Sequence, residues 1–388
     1  MENVFGFPQG DPPKTRPHVS AFAGRTAPIT ALEFTAYEAG PSMSAAKGEL
    51  PLLGTGSGRA GAKDRIDHGS DLGEVFYRVQ TGDAFDRIKE LRQDSIDLVI
   101  TSPPYWGLRT YSLDHNPKIL EEWIVAGKVP REIPSYEWYR SHGGVLGMEP
   151  FPEWYVSHLA DILDLAQKCL KSSGSMWINI GDTYFARWAS IREKGRQGLG
   201  NTGRERRRTP MGDFRQEKQL LLVPARFAIE MQNRRWILRN DLIWYKPNVP
   251  PRPESDRLRL AHEHFFHFVK RPKEGRAKYH YDITSVEAGA TDVVTYTVRS
   301  GREGHTATFP EGLIRPRILS SCPPGGVVLD PFCGTGRALA VAVDHGRSAI
   351  GFEASPSYAY SALELLRSKQ NDGRDRALRL DRDGRRDP

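Results

Sequence analysis

Val327-Val328-Leu329-Asp330-Pro331-Phe332-Cys333-Gly334-Thr335-Gly336-Arg337 is the stretch on which the reading of this chain turns. An apolar run of strand type meets an acid, a proline and two glycines. Arg337 to His345 then reads as a helix stopped by Gly346, and Ala349-Ile350-Gly351-Phe352 as another short strand. Glycines permit a tight turn and let a ligand approach the backbone, and Glu353 places a carboxylate at the end of the second strand. A bare Gly-x-Gly fits many turns, whereas the full order of strand, turn, helix, strand and acid is a nucleotide-type site. Two ligand classes compete for it. The loop lacks the third glycine of a dinucleotide fingerprint and opens with Asp330-Pro331-Phe332. An acid at the loop suits a cationic ligand better than a pyrophosphate, which favours a sulfonium methyl donor over a dinucleotide.

The same grammar appears upstream. Val75 to Val79 reads as a strand, Asp83 to Arg92 as a helix, and Ser95 to Ile100 as a buried strand. Pro152 and Glu153 open a helix in which Tyr155, Leu159, Ile162, Leu163, Ala166 and Leu170 share a face; Gly174 is expected to break it before the strand Met176 to Ile180. Helices alternating with short apolar strands predict an α/β fold, a mostly parallel twisted sheet with helices on both faces and ligands beyond the strands' carboxyl ends.

At one such end stands Thr101-Ser102-Pro103-Pro104-Tyr105-Trp106. Consecutive prolines cannot continue a central strand, so the chain must leave the sheet with unpaired carbonyls facing the crevice. Acceptors are what an exocyclic amine needs. If Ser102 Oγ and the Pro103 carbonyl accept its two N–H bonds, the lone pair is drawn out of the ring and freed for attack. Tyr105 offers a flat face on which an extruded base can stack, worth roughly 1–3 kcal/mol. For the tetrad alone, a Pro-Pro turn with a core tyrosine is an equally open reading, and Trp106 either helps to bind substrate or simply packs.

Composition narrows the field. The 388 residues suffice for one large α/β domain or two smaller ones. The 55 Lys and Arg against 48 Asp and Glu give a formal charge of +7, which leans towards a polyanionic partner. Cys169, Cys322 and Cys333 suit neither a disulfide framework nor a zinc site, and imply a reducing interior. His262, His264 and His267 alternate with phenylalanines along a probable strand and are read as structural, so no metal is expected. No apolar run nears the roughly 20 residues that span a bilayer, and no leader is visible, so a cytoplasmic protein is expected. Residues 1–70, rich in Gly, Pro, Ala and Ser, read as a flexible extension, and 371–388 as a charged tail. Residues 185–217 read as a mobile basic loop able to track phosphates, with Arg204, Arg206 and Arg207 among its arginines. Residues 248–300 look like an insertion with its own small sheet.

Taken together these residues resemble the S-adenosylmethionine-dependent DNA methyltransferases that act on exocyclic amines. Ser102-Pro103-Pro104-Tyr105 precedes the loop Asp330 to Gly336, the permuted order of the β class. The resemblance covers roughly residues 75–370 and implies a Rossmann-like class I methyltransferase fold, with a catalytic domain over 71–370. It implies catalytic roles for Ser102, Pro103, Pro104 and Tyr105. Cofactor contacts are implied for Asp83, Thr101, Phe309, Asp330, Pro331, Phe332, Cys333, Gly334, Gly336 and Glu353, with helix capping the plainer role for Asp83. Trp106, Arg109, Arg204, Arg206 and Arg207 are expected at the DNA. Leu238 to Pro247 resembles the family's strand beside the base pocket, with target recognition in 248–300. Arg337 departs from the small or hydroxylated residue usual after the loop. A Ser in the tetrad is more typical of cytosine N4 enzymes and an Asp of adenine N6 enzymes, so double-stranded DNA methylated at cytosine N4 is the expected product, with adenine N6 second and RNA or protein well behind. A companion restriction endonuclease, a monomer or homodimer and a nucleoid-associated location complete the expectation.

Overall fold

The computed structural model describes residues 65–66, 75–107, 113–185, 188–190, 206–208, 210–249, 255–298 and 310–383, with the backbone alone at 65–66, 188–190, 206–208 and 370–383. All belong to one compact unit, Arg59–Pro388; the expected extension over 1–70 lies outside the described residues except for its last short strand.

In chain order, β1 (Arg65–Ile66) and β2 (Val75–Thr81) lead to α1 (Ala84–Lys89), β3 (Ile96–Thr101), α2 (Ile119–Val125) and α3 (Tyr136–Ser141). Next come α4 (Pro152–Asp164), α5 (Ala166–Cys169) and β4 (Leu170–Ile180), followed by a ribbon of β5 (Trp188–Ser190) with β6 (Arg206–Arg208). Then follow α6 (Val223–Asn233), β7 (Trp236–Tyr245), β8 (His262–Lys270) and β9 (Val293–Thr295). The chain closes with α7 (Glu311–Ser321), β10 (Val327–Asp330), α8 (Arg337–Asp344), β11 (Ser348–Glu353) and α9 (Pro356–Asp383).

Nine strands form one sheet in the order β1-β2-β11-β10-β3-β4-β8-β7-β9. From β2 through β4 every neighbour is parallel, and β8 runs against both β4 and β7. This is a Rossmann-like α/β sheet. Strand β3 is buried along its whole length, and its side chains divide between two cores, Ile96 and Val99 on one face and Leu98 and Ile100 on the other. The first core is closed by α4 and α6 through residues such as Trp154, Leu159 and Phe227, the second by α7, α8 and α9 through Leu313, Ile318, Leu339 and Leu366. A strand buried on both faces has no polar side to present, which is why these runs lack alternation.

Three expectations are corrected. The helix opened by Pro152 ends at Asp164 and the short α5 after it at Cys169, while Gly174 lies inside β4, where a Cβ would come within 2.9 Å of the Asp97 carbonyl; the glycine admits a neighbouring strand and does not stop a helix. Residues 248–300 are not an insertion with a sheet of their own, because β8 is an inner strand and β9 an edge strand of the main sheet. The aromatic run Phe265-Phe266-Phe268 misled because a strand packed on both faces looks self-sufficient. The segment 185–217 is not wholly loop either: the β5–β6 ribbon lies within it, Phe185 is buried, and Arg215 lies over the Phe151 ring and pairs with Glu153 at 3.2 Å.

Among the described residues no helix is long and apolar enough to cross a membrane, and no group of three or more metal-type ligands occurs. The three cysteines are free and buried. His267 is stacked on Trp177 at 4.3 Å, and burial pulls its pKa down to about 3.

Asp97 joins the centre of the sheet. Its buried carboxylate accepts from Lys171 Nζ at 2.8 and 2.9 Å and from the Val327 amide at 2.9 Å, linking β3 to β4 and β10. Asp97→Ala leaves that amide unpaired and should lower the unfolding free energy by about 2–3 kcal/mol, discounted for the exposed Lys171. Urea unfolding of the cofactor-free protein measures it, as a lower midpoint at an unchanged m value.

Candidate active site

Strands β3 and β10 are adjacent and parallel, with Leu98 opposite Val328 and Val99 opposite Leu329. The Ser102 tetrad and the Asp330 loop therefore leave the sheet side by side, although 229 positions separate Thr101 from Asp330 in sequence. Thr101 Oγ1 donates to Asp330 Oδ1 at 2.5 Å, and the Phe332 amide donates to the same oxygen at 3.1 Å. Both ends of the first bond are buried.

The loop is held from its other side by β11. The Cys333 amide donates to the Phe352 carbonyl at 2.9 Å and the Gly334 amide to Glu353 Oε2 at 2.9 Å, while Glu353 Oε1 accepts from Ser355. Gly336 caps α8 at φ +79°, and a Cβ there would lie 2.9 Å from Ala362 Cβ, so both the conformation and the space demand glycine. At Gly334 a Cβ would meet nothing within 4 Å, so the loop's outer side is open. Cys333 faces inward against Gly351, and burial raises its thiol pKa well above the ordinary value, which gives it a packing role. Pro331 is buried and Phe332 packs against the first core.

Electrostatics suit this loop to a cation. Burial pushes Asp330 up to about 7, aided by the charge of Glu353, and burial also raises Glu353. Neither carboxylate has an ion-pair partner among the described residues, so a positively charged ligand would relieve both. Asp83 lies two residues past the end of β2, next to Gly82, whose amide donates to the Glu353 carbonyl at 2.9 Å. It caps α1 through the Phe85 amide at 2.8 Å, and its other oxygen accepts from the Tyr136 hydroxyl at 2.8 Å. The capping role is thus present, beside Glu353.

The tetrad forms the second wall. Ser102 and Tyr105 are partly buried, and Ser102 Oγ lies 3.4 Å from the Tyr105 hydroxyl. That hydroxyl sits 2.8 Å from Glu263 Oε2 and 3.0 Å from Asn179 Oδ1. Asn179, one residue before the end of β4, turns its amide to the His264 carbonyl at 3.0 Å, which aims its oxygen at Tyr105. Glu263 reaches the same end because β8 is antiparallel and begins where its neighbours finish. Lys246, just past β7, pairs with Glu263 Oε1. Gly181 makes room: a Cβ there would stand 2.8 Å from Tyr105 Cε2. No donor among the described residues reaches the Pro103 carbonyl. An acceptor pair beside an aromatic ring, next to a loop fitted for a cation, can hold an amine-bearing planar ring against a cationic group.

Trp106 is corrected. It is buried in the first core with its indole N–H donating to the Glu149 carbonyl at 3.0 Å, so it anchors the tetrad from behind and presents no face to a substrate. Glu149 also accepts from the Gly147 amide at 2.8 Å and from the buried His158 ring at 3.2 Å. Arg109, Arg204 and Phe309 lie outside the described residues, and for Arg206 and Arg207 the backbone alone is described, in the ribbon. Sequence reasoning missed Asn179, Glu263, Lys246 and Tyr136. Asn179 carried a signal, a polar residue inside an apolar strand; Glu263 was hidden by the misplaced insertion.

Similarity to known proteins agrees with this geometry. A family model described as DNA methylase, of the N6 and N4 methyltransferases, matches residues 96–364. Type II methyltransferase M.SmaI of Serratia marcescens is 32% identical over 299 residues, covering 74% of this chain and 90% of that protein. Type II methyltransferase M.Cfr9I of Citrobacter freundii is 31% identical, covering 74% and 87%. The solved structure of PvuII DNA methyltransferase (cytosine-N4-specific) superposes with a TM-score of 0.51 at 19% identity, over 78% of this chain and 94% of that one, a likeness of fold. Cofactor-loop geometry, the buried Asp330 carboxylate and family together make S-adenosylmethionine the methyl donor. With its tetrad, its loop and more than two thirds of its length matched, the chain belongs to the N6 and N4 DNA methyltransferase family.

Proposed function

We propose that this enzyme methylates the N4 amino group of cytosine in double-stranded DNA, after the base is swung out of the helix. The observation that carries the reading is the Thr101–Asp330 bond at 2.5 Å, which sets an amine-accepting tetrad directly beside a loop suited to a cation. S-adenosylmethionine, when bound, supplies a methyl group to the base nitrogen by direct displacement. Asp330 and Glu353 favour its positive charge, and Glu353 stands where ribose hydroxyls would be met. Asp83, beside Glu353, is assigned to the adenine end, and Phe309 to the methionine side.

Ser102 Oγ and the Pro103 carbonyl accept the two amine N–H bonds, and the Tyr105 ring stacks on the base. Holding reactants at about 3–3.5 Å supplies roughly 7–11 kcal/mol of the acceleration. No cysteine attacks the ring, since Cys333 is turned into the core. Cytosine is favoured because Ser102, a short neutral acceptor for the amine, is the tetrad residue more typical of the cytosine N4 enzymes that the chain resembles.

The sheet order supports a narrower assignment of where DNA is read. Strand β8 carries the chain away from the site, so the stretch after Lys270 starts at the far end of β7, by Trp236. Recognition is assigned to the stretches that leave or approach the active end, 246–261 and 296–309, in place of the whole of 248–300. The β5–β6 ribbon, with Arg206 and Arg207, and the neighbouring Arg204 and Arg109 are assigned to phosphates. The type II names of the relatives support a companion restriction endonuclease for this chain, which would act on chromosomal DNA as a monomer or homodimer.

Incubation with labelled S-adenosylmethionine and DNA, followed by digestion to nucleosides, is expected to give N4-methylcytosine. N6-methyladenine would transfer the assignment to adenine, and label confined to RNA or protein would end it. Tyr105→Ala should lower kcat by at least about ten-fold while cofactor affinity stays within about two-fold, and Asp330→Ala should weaken cofactor binding first; kinetics and calorimetry read the two, and the reverse pattern would exchange the roles.

A pH dependence follows from Asp330. Its folded pKa is raised to about 7 from 3.8, so the stability it contributes is complete below about pH 4 and lost as pH rises through about 7. A bound cation favours the ionised form. Cofactor affinity should therefore rise about ten-fold between pH 6 and pH 8, and Asp330→Asn should flatten that slope in calorimetric titrations.

A further inference from the structure

The tetrad does not stand alone. Tyr105 has one proton and two partners able to accept it, the carboxylate of Glu263 at 2.8 Å and the amide oxygen of Asn179 at 3.0 Å. A charged acceptor at the shorter distance takes the proton. The Tyr105 oxygen is then left with lone pairs only, and the nearest hydroxyl, Ser102 Oγ at 3.4 Å, turns its own proton towards it. What Ser102 offers to the crevice is therefore an oxygen lone pair. Glu263 in turn is held from its other oxygen by Lys246, and the two side chains are only 15% and 13% exposed, so the carboxylate cannot swing out to water without leaving a buried cation behind. Lys246 is itself seated 4.4 Å from the Trp244 ring centroid, and its amide donates to the Ala261 carbonyl at 2.7 Å.

We infer that Glu263, braced by Lys246, is a positioning residue for methyl transfer: through the Tyr105 hydroxyl it fixes the stacking ring and sets Ser102 as a hydrogen-bond acceptor for the amine of the target base. The chain of donors runs Ser102 to Tyr105 to Glu263, with Lys246 closing it. It matters to the reaction because an amine held by two acceptors loses electron density to its ring less readily, whereas a serine proton facing the amine would repel its hydrogens. The strand arrangement is what makes the contact available, since the start of β8 lies opposite the ends of β4 and β7, with Ile180 facing His264 and Trp244 facing Glu263. Gly181 keeps the path clear, because a side chain there would strike both Tyr105 Cε2 at 2.8 Å and Glu263 Cγ at 3.3 Å. The inference rests on the reading that Ser102 to Tyr105 receive the base, and it holds whichever base that is.

A double-mutant cycle on the full-length enzyme tests it, using plasmid DNA, labelled S-adenosylmethionine and total label transferred, so that the identity of the methylated base does not enter. Tyr105→Phe and Glu263→Gln should each lower kcat by about ten-fold or more, leave the KM for S-adenosylmethionine within about two-fold, and give a double mutant no slower than the slower single one. Glu263→Asp should recover part of the loss. Independent effects, which multiply to about a hundred-fold loss in the double mutant, overturn the inference, as does a Glu263→Gln enzyme with normal kcat. If Glu263→Gln no longer binds cofactor, Tyr105→Phe decides alone: a wild-type kcat overturns the inference because the hydroxyl then has no task, and a reduced kcat with normal cofactor KM supports it. Failure of the site reading shows differently, as Tyr105→Ala with undiminished turnover.

Discussion

One buried hydrogen bond holds the active end of this protein together. Thr101 closes the strand that delivers the tetrad, Asp330 closes the strand that delivers the cofactor loop, and the 2.5 Å contact between them makes two distant stretches of chain into one site. The parallel pairing of β3 with β10 brings the residues within reach; the hydroxyl then gives a buried carboxylate one of the few donors it has. The arrangement stays unbalanced, since Asp330 is buried and Glu353 half-buried, and neither has a cation beside it among the described residues. A site that is electrostatically incomplete on its own is completed by a ligand carrying positive charge.

The antiparallel β8 has an equally general effect. In a wholly parallel sheet every residue at the ligand-binding end comes from the close of a strand. Here one strand starts there, so a residue from its opening, Glu263, stands opposite the tetrad, and Lys246 from the close of β7 meets it. On the proposed reading the pocket draws on β3, β4, β7 and β8 for the base and on β2, β10 and β11 for the cofactor, a split that follows the order of the sheet.

Much of this was legible in the sequence. The βαβ grammar around Asp330 and Gly336, the proline exit after Thr101 and the acid at Glu353 are local signals, each imposed by what a turn or a strand end can tolerate. Those elements lie where the pattern put them, with Asp83 capping its helix as the simpler reading had it. The failures share a cause. Gly174, Trp106 and the His262–Lys270 run depend on what neighbours them across the sheet, and pairing partners are not written in local composition. An aromatic beside a catalytic motif looks like a ligand contact, yet Trp106 is the peg on the reverse side. Lys246 and Glu263 are 17 positions apart in sequence and became a pair only when two antiparallel strands were laid side by side.

That peg has a consequence for the DNA. On the proposed reading, in which an everted base is received here, Trp106 sunk in the core and the Tyr105 hydroxyl held on two sides shape the pocket before any base arrives. Little of the work of everting a nucleotide can then come from the protein remodelling itself, and the cost of unstacking and unpairing falls on the duplex and on whatever grips its backbone. A rigid receptacle of this kind discriminates against well-paired sequence by thermodynamics alone, so bubbles, nicks and mispairs should fill it more readily than intact helix.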